Sequence, residues 1–458
     1  MNIFNNTIHV GENTIKNKEE LITKEKIVSK NENSWWYKSQ NNKTRIMLCG
    51  TYPIGTSNGY SKVVYYICKY LQKYNDIELT VYGFQNVNNT NGANIRNDLD
   101  NVILYDVLAN ENPKRNGFGE KEIGNYIKKN PQDIIIIFND SIITTALVAT
   151  LIKECWDEKK NFKLISYMDQ VYKYQKKEYI QILNSFFDAI ITFTPYWKEI
   201  AIKLGITKPL YNFPHGFDYN LYYPIPQNIA RLYYNYNDDD FMILNLNRNQ
   251  PRKRWDISII AWTNFLVMCY SKFNKISNLK LVIGTSMIGY WDLMELFENE
   301  IRFTKIPWEE AKDTLVKIDN PQQLSDRDIN ILYNACDIGL NTADGEGFGL
   351  CTFEGLGVGK PQVASYLGGM IEFLSEDYSF KIEPKSYIYL DHKSVGIGGK
   401  AELISPEECA NIFFKYYMDR NLLKTHGENA RKNILTHYRW ETLVEYFYNN
   451  IIKIYKNN

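Results

Sequence analysis

Histidine and cysteine, the residues that most often build metal sites and disulfide frameworks, are scarce in this chain. Its 458 residues include five histidines and seven cysteines, which are scattered without the spacing of zinc ligands. The cysteines are also odd in number, unlike those of a disulfide-stapled secreted domain. The sequence therefore predicts no structural metal and reduced thiols, which favours an intracellular, cytoplasmic protein.

Net charge and long apolar runs are lacking as well. The chain carries 53 basic and 53 acidic residues, so its formal net charge is +0. This balance provides no global field that would attract nucleic acid, and we expect no nucleic-acid partner. No apolar run approaches the roughly 20 residues that span a bilayer. We therefore expect no transmembrane segment, while a peripheral membrane contact is left open.

The first 44 residues have too few apolar side chains to specify a core. They are rich in Asn, Lys and Glu, which is typical of a tail or a loosely docked extension. Trp35 and Trp36 are the exception, and we expect them to pack on the body of the protein rather than to stack on a sugar. Residues 1–44 are therefore assigned to an N-terminal extension.

From residue 45 onward, short apolar runs alternate with amphipathic stretches. Strands are predicted at 46–49, 79–84, 134–138, 164–168 and 189–192, with a helix at 62–71. The alternation restarts with strands at 241–246, 279–284, 338–341 and 362–365, and with helices at 255–270, 326–335 and 350–355. Strands that alternate with helices form parallel sheets. The pattern predicts an α/β protein with two Rossmann-like units, at 45–225 and 226–436, followed by a closing helix within 437–458.

One glycine-rich stretch carries most of the chemical information. It reads NTADGEGFGLCTFEGLGVGKP from Asn341 to Pro361, and it joins a predicted strand to a predicted helix. Glycines let the backbone approach a ligand closely, and a helix N-terminus attracts phosphate. Glu346 in the turn and Glu354 in the helix can accept hydrogen bonds from sugar hydroxyls. The stretch therefore predicts a site for a diphosphate that carries a sugar at each end.

Two other phosphate-binding motifs do not fit this stretch. The fragment GLGVG at 355–359 follows a helix, whereas the dinucleotide fingerprint follows a strand. Lys360 is followed by Pro361, whereas a P-loop lysine is followed by Ser or Thr. Neither a dinucleotide-binding motif nor a P-loop is predicted.

The segment 324–374 resembles the family 4 retaining glycosyltransferases of GT-B fold. The resemblance lies in Glu346 and Glu354, separated by seven residues, and in the sequence GGMIE at 368–372. It extends to Arg248 and Lys253, to the sequence PHGFD at 214–218 and, loosely, to Asn58 and Gly59. In all it covers about residues 45 to 456, more strongly in the second half.

The resemblance implies a fold and a reaction. Two parallel sheets would face each other across a cleft, and the C-terminal helix would return to the N-terminal domain. A sugar would move from a nucleoside diphosphate sugar, bound mainly by 226–436, to a hydroxyl acceptor, bound mainly by 45–225. The acceptor would be a glycan, a lipid or a protein-linked sugar. No separate cofactor is implied, because the nucleotide sugar is itself the donor substrate.

The resemblance also implies roles for individual residues. Arg248 and Lys253 would neutralise the donor diphosphate, and Glu346 would bind the donor sugar, so these three are the implied catalytic residues. Glu354 would bind the ribose hydroxyls. The remaining implied donor contacts are Gly59, Gly347, Phe348, Gly349 and Leu350.

The N-terminal half departs from the family pattern. Family members often place a histidine near the end of an N-terminal strand, facing the donor sugar, and no histidine stands at the corresponding strand ends here. Asn139 and Asp169 follow those strands, and we predict them as substitute sugar contacts. Asn58 also replaces one of the two glycines that are common in the first turn of the family.

Three other functions share some of these sequence features. A sugar-nucleotide epimerase shares the fold but needs acid and base groups around the sugar, and histidine is scarce. A non-catalytic binding protein on the same fold is disfavoured because both glutamates and both cations are present. A metal-dependent GT-A transferase needs a DxD motif after a strand; the sequence DDD at 238–240 precedes one, so a surface turn is predicted there. The favoured function is therefore metal-independent.

Overall fold

A computed structural model of the protein describes residues 43–54, 58–86, 96, 98–155, 161–318, 321, 324–390 and 398–456. Trp35 and Trp36, and almost all of the predicted N-terminal extension, lie outside these residues. The boundaries at 45–225 and 226–436 stay predictions. Within the described residues, none of the helices is both long and apolar enough to cross a membrane.

The first unit is a seven-stranded parallel sheet flanked by helices. Its strands lie in the order β3-β2-β1-β4-β5-β6-β7. They are β1 Thr44–Thr51, β2 Ile77–Phe84, β3 Val102–Asp106, β4 Ile134–Asp140, β5 Lys163–Asp169, β6 Ala189–Thr192 and β7 Leu210–Asn212. Its helices are α1 Gly59–Leu71, α2 Val107–Asn110, α3 Ile123–Lys129, α4 Ser141–Cys155, α5 Lys177–Phe186 and α6 Pro195–Lys203.

The start of α1 explains one departure from the family pattern. Asn58 is the N-cap of this helix, and its side-chain Oδ1 accepts a hydrogen bond from the Ser61 amide at 2.8 Å. Asparagine is among the best residues at this position, because it satisfies an amide that has no partner within the helix. A glycine would lack that bond.

The second unit is a six-stranded parallel sheet in the order β10-β9-β8-β11-β12-β13. Its strands are β8 Phe241–Asn245, β9 Leu279–Ile283, β10 Leu315–Lys317, β11 Ile338–Asn341, β12 Gln362–Ser365 and β13 Phe380–Ile382. The helices from the linker onward are α7 Gln227–Tyr233, α8 Trp255–Phe273, α9 Leu293–Arg302, α10 Trp308–Ala311, α11 Asp326–Ala335, α12 Leu350–Val358, α13 Pro406–Met418, α14 Arg420–His437 and α15 Trp440–Lys456. A separate antiparallel hairpin pairs β14 Ser386–Leu390 with β15 Gly399–Leu403.

The last helix, α15, packs on the first unit. The ring of Phe447 lies 4.4 Å from that of Phe213, and the ring of Tyr448 stacks on Tyr74 at 3.8 Å. The buried ring of Trp440, at the start of the helix, stacks on Tyr66 of α1 at 5.1 Å. The predicted return of the C-terminal helix to the N-terminal domain is confirmed, as is the α/β fold with two parallel sheets.

Candidate active site

The centre of the site is a loop at 342–349, here called the glycine loop, which joins β11 to α12. Gly349 is the N-cap of α12 and has φ 91°, a left-handed conformation that favours glycine. A Cβ on Gly347 would lie 2.1 Å from Asp169 Oδ1, at the end of β5 in the other unit. The amides that open α12 have no acceptor within the helix and form the positive end of its dipole. The glycine loop therefore has the backbone geometry of an anion site, and the diphosphate predicted there stays a prediction.

Glu346 of the glycine loop lies between two cations. Lys253 Nζ and Arg252 Nη1 both donate to its Oε2, each at 2.6 Å. A 3-10 turn, Pro251–Lys253, positions the two cations, because the Asp344 amide donates to the Arg252 carbonyl at 2.9 Å. Burial alone would raise the pKa of Glu346, but the attraction of Lys253 and Arg252 outweighs it and the pKa is lowered. Glu346 is thus held as a carboxylate.

The two cations respond differently to this environment. Burial lowers the pKa of Lys253 despite its ion pair with Glu346. Burial would also lower the pKa of Arg252, but attraction to Glu346 outweighs it and the pKa is raised. An oxyanion ligand close to Lys253 would favour its protonated form, as Glu346 does. Arg252 therefore carries a permanent positive charge, while a bound oxyanion would stabilise the protonated form of Lys253.

Arg248 forms no ion pair with Glu346 in the described residues, unlike Arg252 and Lys253. Its side chain is exposed, while its carbonyl accepts hydrogen bonds from the Gln250 amide at 2.9 Å and from Trp255 Nε1 at 3.2 Å. The role predicted for Arg248 stays a prediction. Arg252 received no role in the sequence analysis. Pro251 is the signal that could have identified it, because proline favours the first position of a helical turn.

Glu354, on α12, has its counter-ion in the other unit. Lys62 Nζ of α1 donates to Glu354 Oε1 at 2.6 Å and also lies 3.4 Å from Asp326 Oδ1. The hydroxyl of Tyr333 donates to Glu354 Oε2 at 3.1 Å. Burial raises the pKa of Glu354, although Lys62 opposes the shift. The acceptor predicted for ribose hydroxyls is therefore already engaged by a cation across the cleft.

A second cation from the first unit extends this network. Arg96 Nη2 lies 3.1 Å from Asp326 Oδ2, and the hydroxyl of Tyr222 accepts a hydrogen bond from Lys62 Nζ at 2.6 Å. Sequence reasoning missed Lys62, Arg96 and Asp326. No local pattern could have identified them, because the pairing requires two residues far apart in the chain to meet across the cleft.

The N-terminal wall of the site is formed mainly by Asp169. The Tyr60 hydroxyl donates a short hydrogen bond to Asp169 Oδ2, and Asp169 Oδ1 faces Gly347. Burial raises the pKa of Asp169 to about 6. Asn139, the other predicted sugar contact, is buried and its Oδ1 accepts a hydrogen bond from the Asp140 amide at 2.9 Å. The structure therefore brings Asp169 against the glycine loop and engages Asn139 locally.

Further contacts bring both units against the glycine loop. Trp197 Nε1 of α6 donates to the Gly347 carbonyl at 2.7 Å. A Cβ on Gly59 would lie 2.9 Å from Leu350 Cδ1, so the first turn of α1 touches the start of α12. The predicted contacts Gly59, Gly347 and Leu350 thus meet at one place. The two units are therefore in contact here, so the cleft between them is closed beside the glycine loop.

Phe348 and His215 form the apolar floor beneath the glycine loop. The ring of Phe348 is buried and lies 4.5 Å from the ring of His215. Burial lowers the pKa of His215 to about 3. Neither ring nitrogen of His215 has a hydrogen-bond partner in the described part of the chain. His215 is therefore neutral, and the side chain of Phe348 supports the loop while its backbone belongs to it.

The three aspartates at 238–240 precede β8, as predicted for a turn. The Arg231 guanidinium donates to the backbone carbonyls of Asp238 and Asp240, the latter at 2.8 Å. In the described ranges, no group of three or more His, Cys, Asp and Glu side chains is arranged to hold a metal ion.

Comparison with known proteins gives structural matches only. No family model matches the sequence, and no curated protein matches it. Sucrose-phosphate synthase from Thermosynechococcus elongatus has a TM-score of 0.67 at 14% identity, over 91% of this chain and 100% of that chain. Anabaena HepE in complex with UDP-glucose has a TM-score of 0.64 at 16% identity, over 89% and 99%. A glycosyltransferase from Rickettsia africae has a TM-score of 0.64 at 16% identity, over 91% and 100%.

These similarities extend over nearly the whole of each matched chain and include both units. At such low identity they establish the architecture, so the two facing Rossmann-like units and the returning helix are those of the GT-B fold. Membership of family 4 stays a prediction.

Proposed function

We propose that the protein is a retaining, metal-independent glycosyltransferase of family 4 and hexosyltransferase type, acting in glycan biosynthesis. It transfers a sugar from a nucleoside diphosphate sugar to an acceptor hydroxyl. The observation that carries the proposal is the convergence of Arg252 and Lys253 on Glu346, next to the N-terminus of α12 and facing the opposite unit. The UDP-glucose complex of HepE makes UDP the first nucleotide to test.

Charge neutralisation is the main contribution of these residues to the proposed reaction. Breaking the bond between the anomeric carbon and the phosphate oxygen leaves negative charge on the diphosphate. Lys253, Arg252 and the amides that open α12 supply positive charge at that place without a metal ion. Arg252 can bind two oxygens through its planar fork, whereas Lys253 acts as a point charge. Glu346, held as a carboxylate, accepts hydrogen bonds from hydroxyls of the donor sugar.

The closed cleft supplies the second contribution, which is exclusion of water. Trp197 and Asp169 of the first unit lie against Gly347, so a sugar between Asp169 and Glu346 would be shielded from solvent. In the retaining reaction the acceptor oxygen bonds to the anomeric carbon on the face that the diphosphate leaves. The acceptor proton passes to the departing phosphate oxygen, so no protein base is required.

The proposal is tested by calorimetric titration with uridine, UDP and UDP-glucose. Lys253→Ala should weaken UDP binding by about 1.5–3 kcal/mol, the contribution of a hydrogen bond to a charged group, and leave uridine binding nearly unchanged. Glu346→Ala should not weaken UDP binding, since it frees Arg252 and Lys253 from their shared carboxylate, but it should depress turnover of UDP-glucose. Lys424→Ala, which alters an exposed lysine, is the control. The proposal would be contradicted if Lys253→Ala lost equal affinity for uridine and UDP. It would also be contradicted if the unmodified protein bound none of the guanosine, uridine and thymidine diphosphates.

Metal independence is tested on the same preparation. Turnover should persist in excess EDTA, because the diphosphate charge is met by Arg252, Lys253 and a helix N-terminus. Turnover that requires added Mg²⁺ or Mn²⁺ would contradict this part of the proposal.

A further inference from the structure

The hairpin of β14 and β15 has a surface that its own packing does not explain. In β14, three consecutive large side chains are exposed: Tyr387 by 56%, Ile388 by 46% and Tyr389 by 66%. Successive side chains of a strand point to opposite faces, so β14 is exposed on both faces. Large aromatic side chains usually contribute to a core or an interface. This strand contributes to none of the cores that the described residues form.

Three tyrosines at this place form a row that crosses from one unit to the other. Tyr174, which follows β5 and is 44% exposed, stacks on Tyr389 with ring centroids 5.9 Å apart and planes 24° apart. Tyr389 in turn lies 5.8 Å from Tyr387 in an edge-to-face arrangement. Lys400 Nζ lies over the ring of Tyr387, 4.0 Å from its centroid. We call Tyr174, Tyr387 and Tyr389 the tyrosine ladder.

Neighbours of the tyrosine ladder contact the glycine loop, because Tyr387 pairs with Glu402 in the hairpin and Glu402 is hydrogen-bonded to that loop. The Glu402 amide of β15 donates to the Asp344 carbonyl at 2.9 Å, two residues before Glu346. From the other unit, the Tyr172 hydroxyl donates to Asp344 Oδ1 at 3.1 Å, and Lys173 Nζ donates to Glu402 Oε1 at 2.7 Å. The hairpin that carries Tyr387 and Tyr389 is therefore held against the glycine loop, beside the predicted donor site.

We infer that the tyrosine ladder is a binding surface for a glycan acceptor chain, an inference that rests on the proposed function. Tyrosine rings pack against the C–H faces of sugar rings, while their hydroxyls exchange hydrogen bonds with sugar hydroxyls. A row of rings suits a chain of sugars better than a single small acceptor. Its attachment to the glycine loop through Glu402 would place one end of that chain near the sugar being transferred.

The charges around the ladder favour a glycan over an anionic membrane. Lys173 is paired with Glu402, and Lys385 lies 3.4 Å from a carboxylate oxygen of Glu408. Lys400 lies over a tyrosine ring. Binding to anionic lipid requires a surplus of basic groups near the surface, and these lysines already have partners.

The inference is tested by native electrophoresis in gels that contain a soluble polysaccharide. The panel is starch, glycogen, dextran, xylan, laminarin and hydroxyethylcellulose, without nucleotide. We expect at least one of them to retard the full chain. The variant Tyr174→Ala/Tyr387→Ala/Tyr389→Ala should bind that polysaccharide at least about tenfold more weakly, since each ring contributes a few-fold. The corresponding triple Phe variant should retain most of the retardation.

Two controls make the result specific. Tyr233→Ala/Tyr290→Ala/Tyr446→Ala removes three similarly exposed tyrosines, at 58%, 64% and 51%, and should be retarded like the unmodified chain. The ladder Ala variant should bind UDP normally, because the ladder does not contact Arg252 or Lys253. Retardation by no polysaccharide, or equal retardation of the ladder Ala variant, overturns the inference while the UDP titrations still decide the proposed function. Ladder-dependent dimerisation or sedimentation with phosphatidylserine vesicles, without glycan binding, also overturns it.

Discussion

Glu346 and Glu354 are eight residues apart and are both buried, yet their counter-ions come from different parts of the molecule. Both cations on Glu346, Arg252 and Lys253, belong to its own unit, whereas the cation on Glu354 is Lys62 of the opposite unit. Burial favours a raised pKa at both carboxyls: Lys253 and Arg252 outweigh it at Glu346, whose pKa is lowered, whereas Lys62 does not outweigh it at Glu354, whose pKa is raised. Opening of the cleft would leave the first cluster intact and separate the second. The first site is therefore preformed, and the second depends on closure.

The largest expected effect follows from breaking the preformed cluster. Glu346→Gln keeps the shape of the side chain but leaves Arg252 and Lys253 without their shared carboxylate. Removing one partner of a buried ion pair costs about 3–5 kcal/mol, because the remaining charge is left uncompensated. We expect a loss of this size in the free energy of unfolding of the second unit, measured by urea denaturation.

A surface ion pair provides the matched control for this variant. Glu298 lies 3.2 Å from Arg302 on α9, and both side chains are at least half exposed. Glu298→Gln should change the free energy of unfolding by less than about 0.5 kcal/mol. Similar changes in the free energy of unfolding for Glu298→Gln and Glu346→Gln would show that Glu346, Arg252 and Lys253 do not form a preformed buried cluster.

Asp169 sharpens the comparison, because it faces the same glycine loop without an ion pair among the described residues. Its pKa is about 6, against an ordinary value of 3.8, because of burial. Between about pH 4 and pH 6 the folded protein binds a proton at Asp169 that the unfolded chain has lost. The free energy of unfolding therefore falls as the pH rises through this window. Above it, the ionised form costs up to about 3 kcal/mol.

Asp169→Asn removes that cost while keeping an acceptor for the Tyr60 hydroxyl. We expect the variant to be more stable than the unmodified protein at pH 7.5, and the difference to vanish near pH 4. Thermal unfolding across this range measures the effect. A variant that is less stable at pH 7.5, or a difference that does not depend on pH, would show that Asp169 carries no raised pKa.

The sequence predicted the central strands of both units better than their edge strands. Strand β11 and helix α11 have the bounds that the apolar pattern predicted, 338–341 and 326–335, because buried strands and a capping box at Ser325 and Asp328 leave clear local signals. Strands β3, β7, β10 and β13 were not predicted. They are three to five residues long and all lie toward the edges of their sheets, where a strand needs few apolar residues.

The same distinction holds for the site. Glu346 and Lys253 were predicted as site residues, and they are in contact within one unit. The partner of Glu354 was not predicted, because Lys62 lies 292 positions away and meets it only when both sheets have formed and closed. Asp169 was predicted because it stands near a strand end where the resembled family often has a histidine facing the donor sugar. The contact with Gly347 required the structure.

The smallest expected effect on stability comes from the pair that spans the cleft. Lys62→Met removes the cation from Glu354. The unpaired carboxylate can then be hydrated if the cleft opens, whereas the Glu346 cluster lies within one unit and stays buried. The cost is then limited to that of opening the cleft, and we expect the free energy of unfolding to fall by about 1 kcal/mol or less, as for a solvent-exposed pair.

The same variant also tests ligand binding. If Glu354 binds ribose, Lys62 competes with the ribose for that carboxylate, so Lys62→Met should bind UDP a few-fold more tightly in calorimetry. Lys73→Met, at an exposed lysine just after α1, should change neither quantity. Weaker UDP binding by Lys62→Met would instead make Lys62 a donor contact, and a loss as large as that of Glu346→Gln would mean that the two clusters are equally preformed.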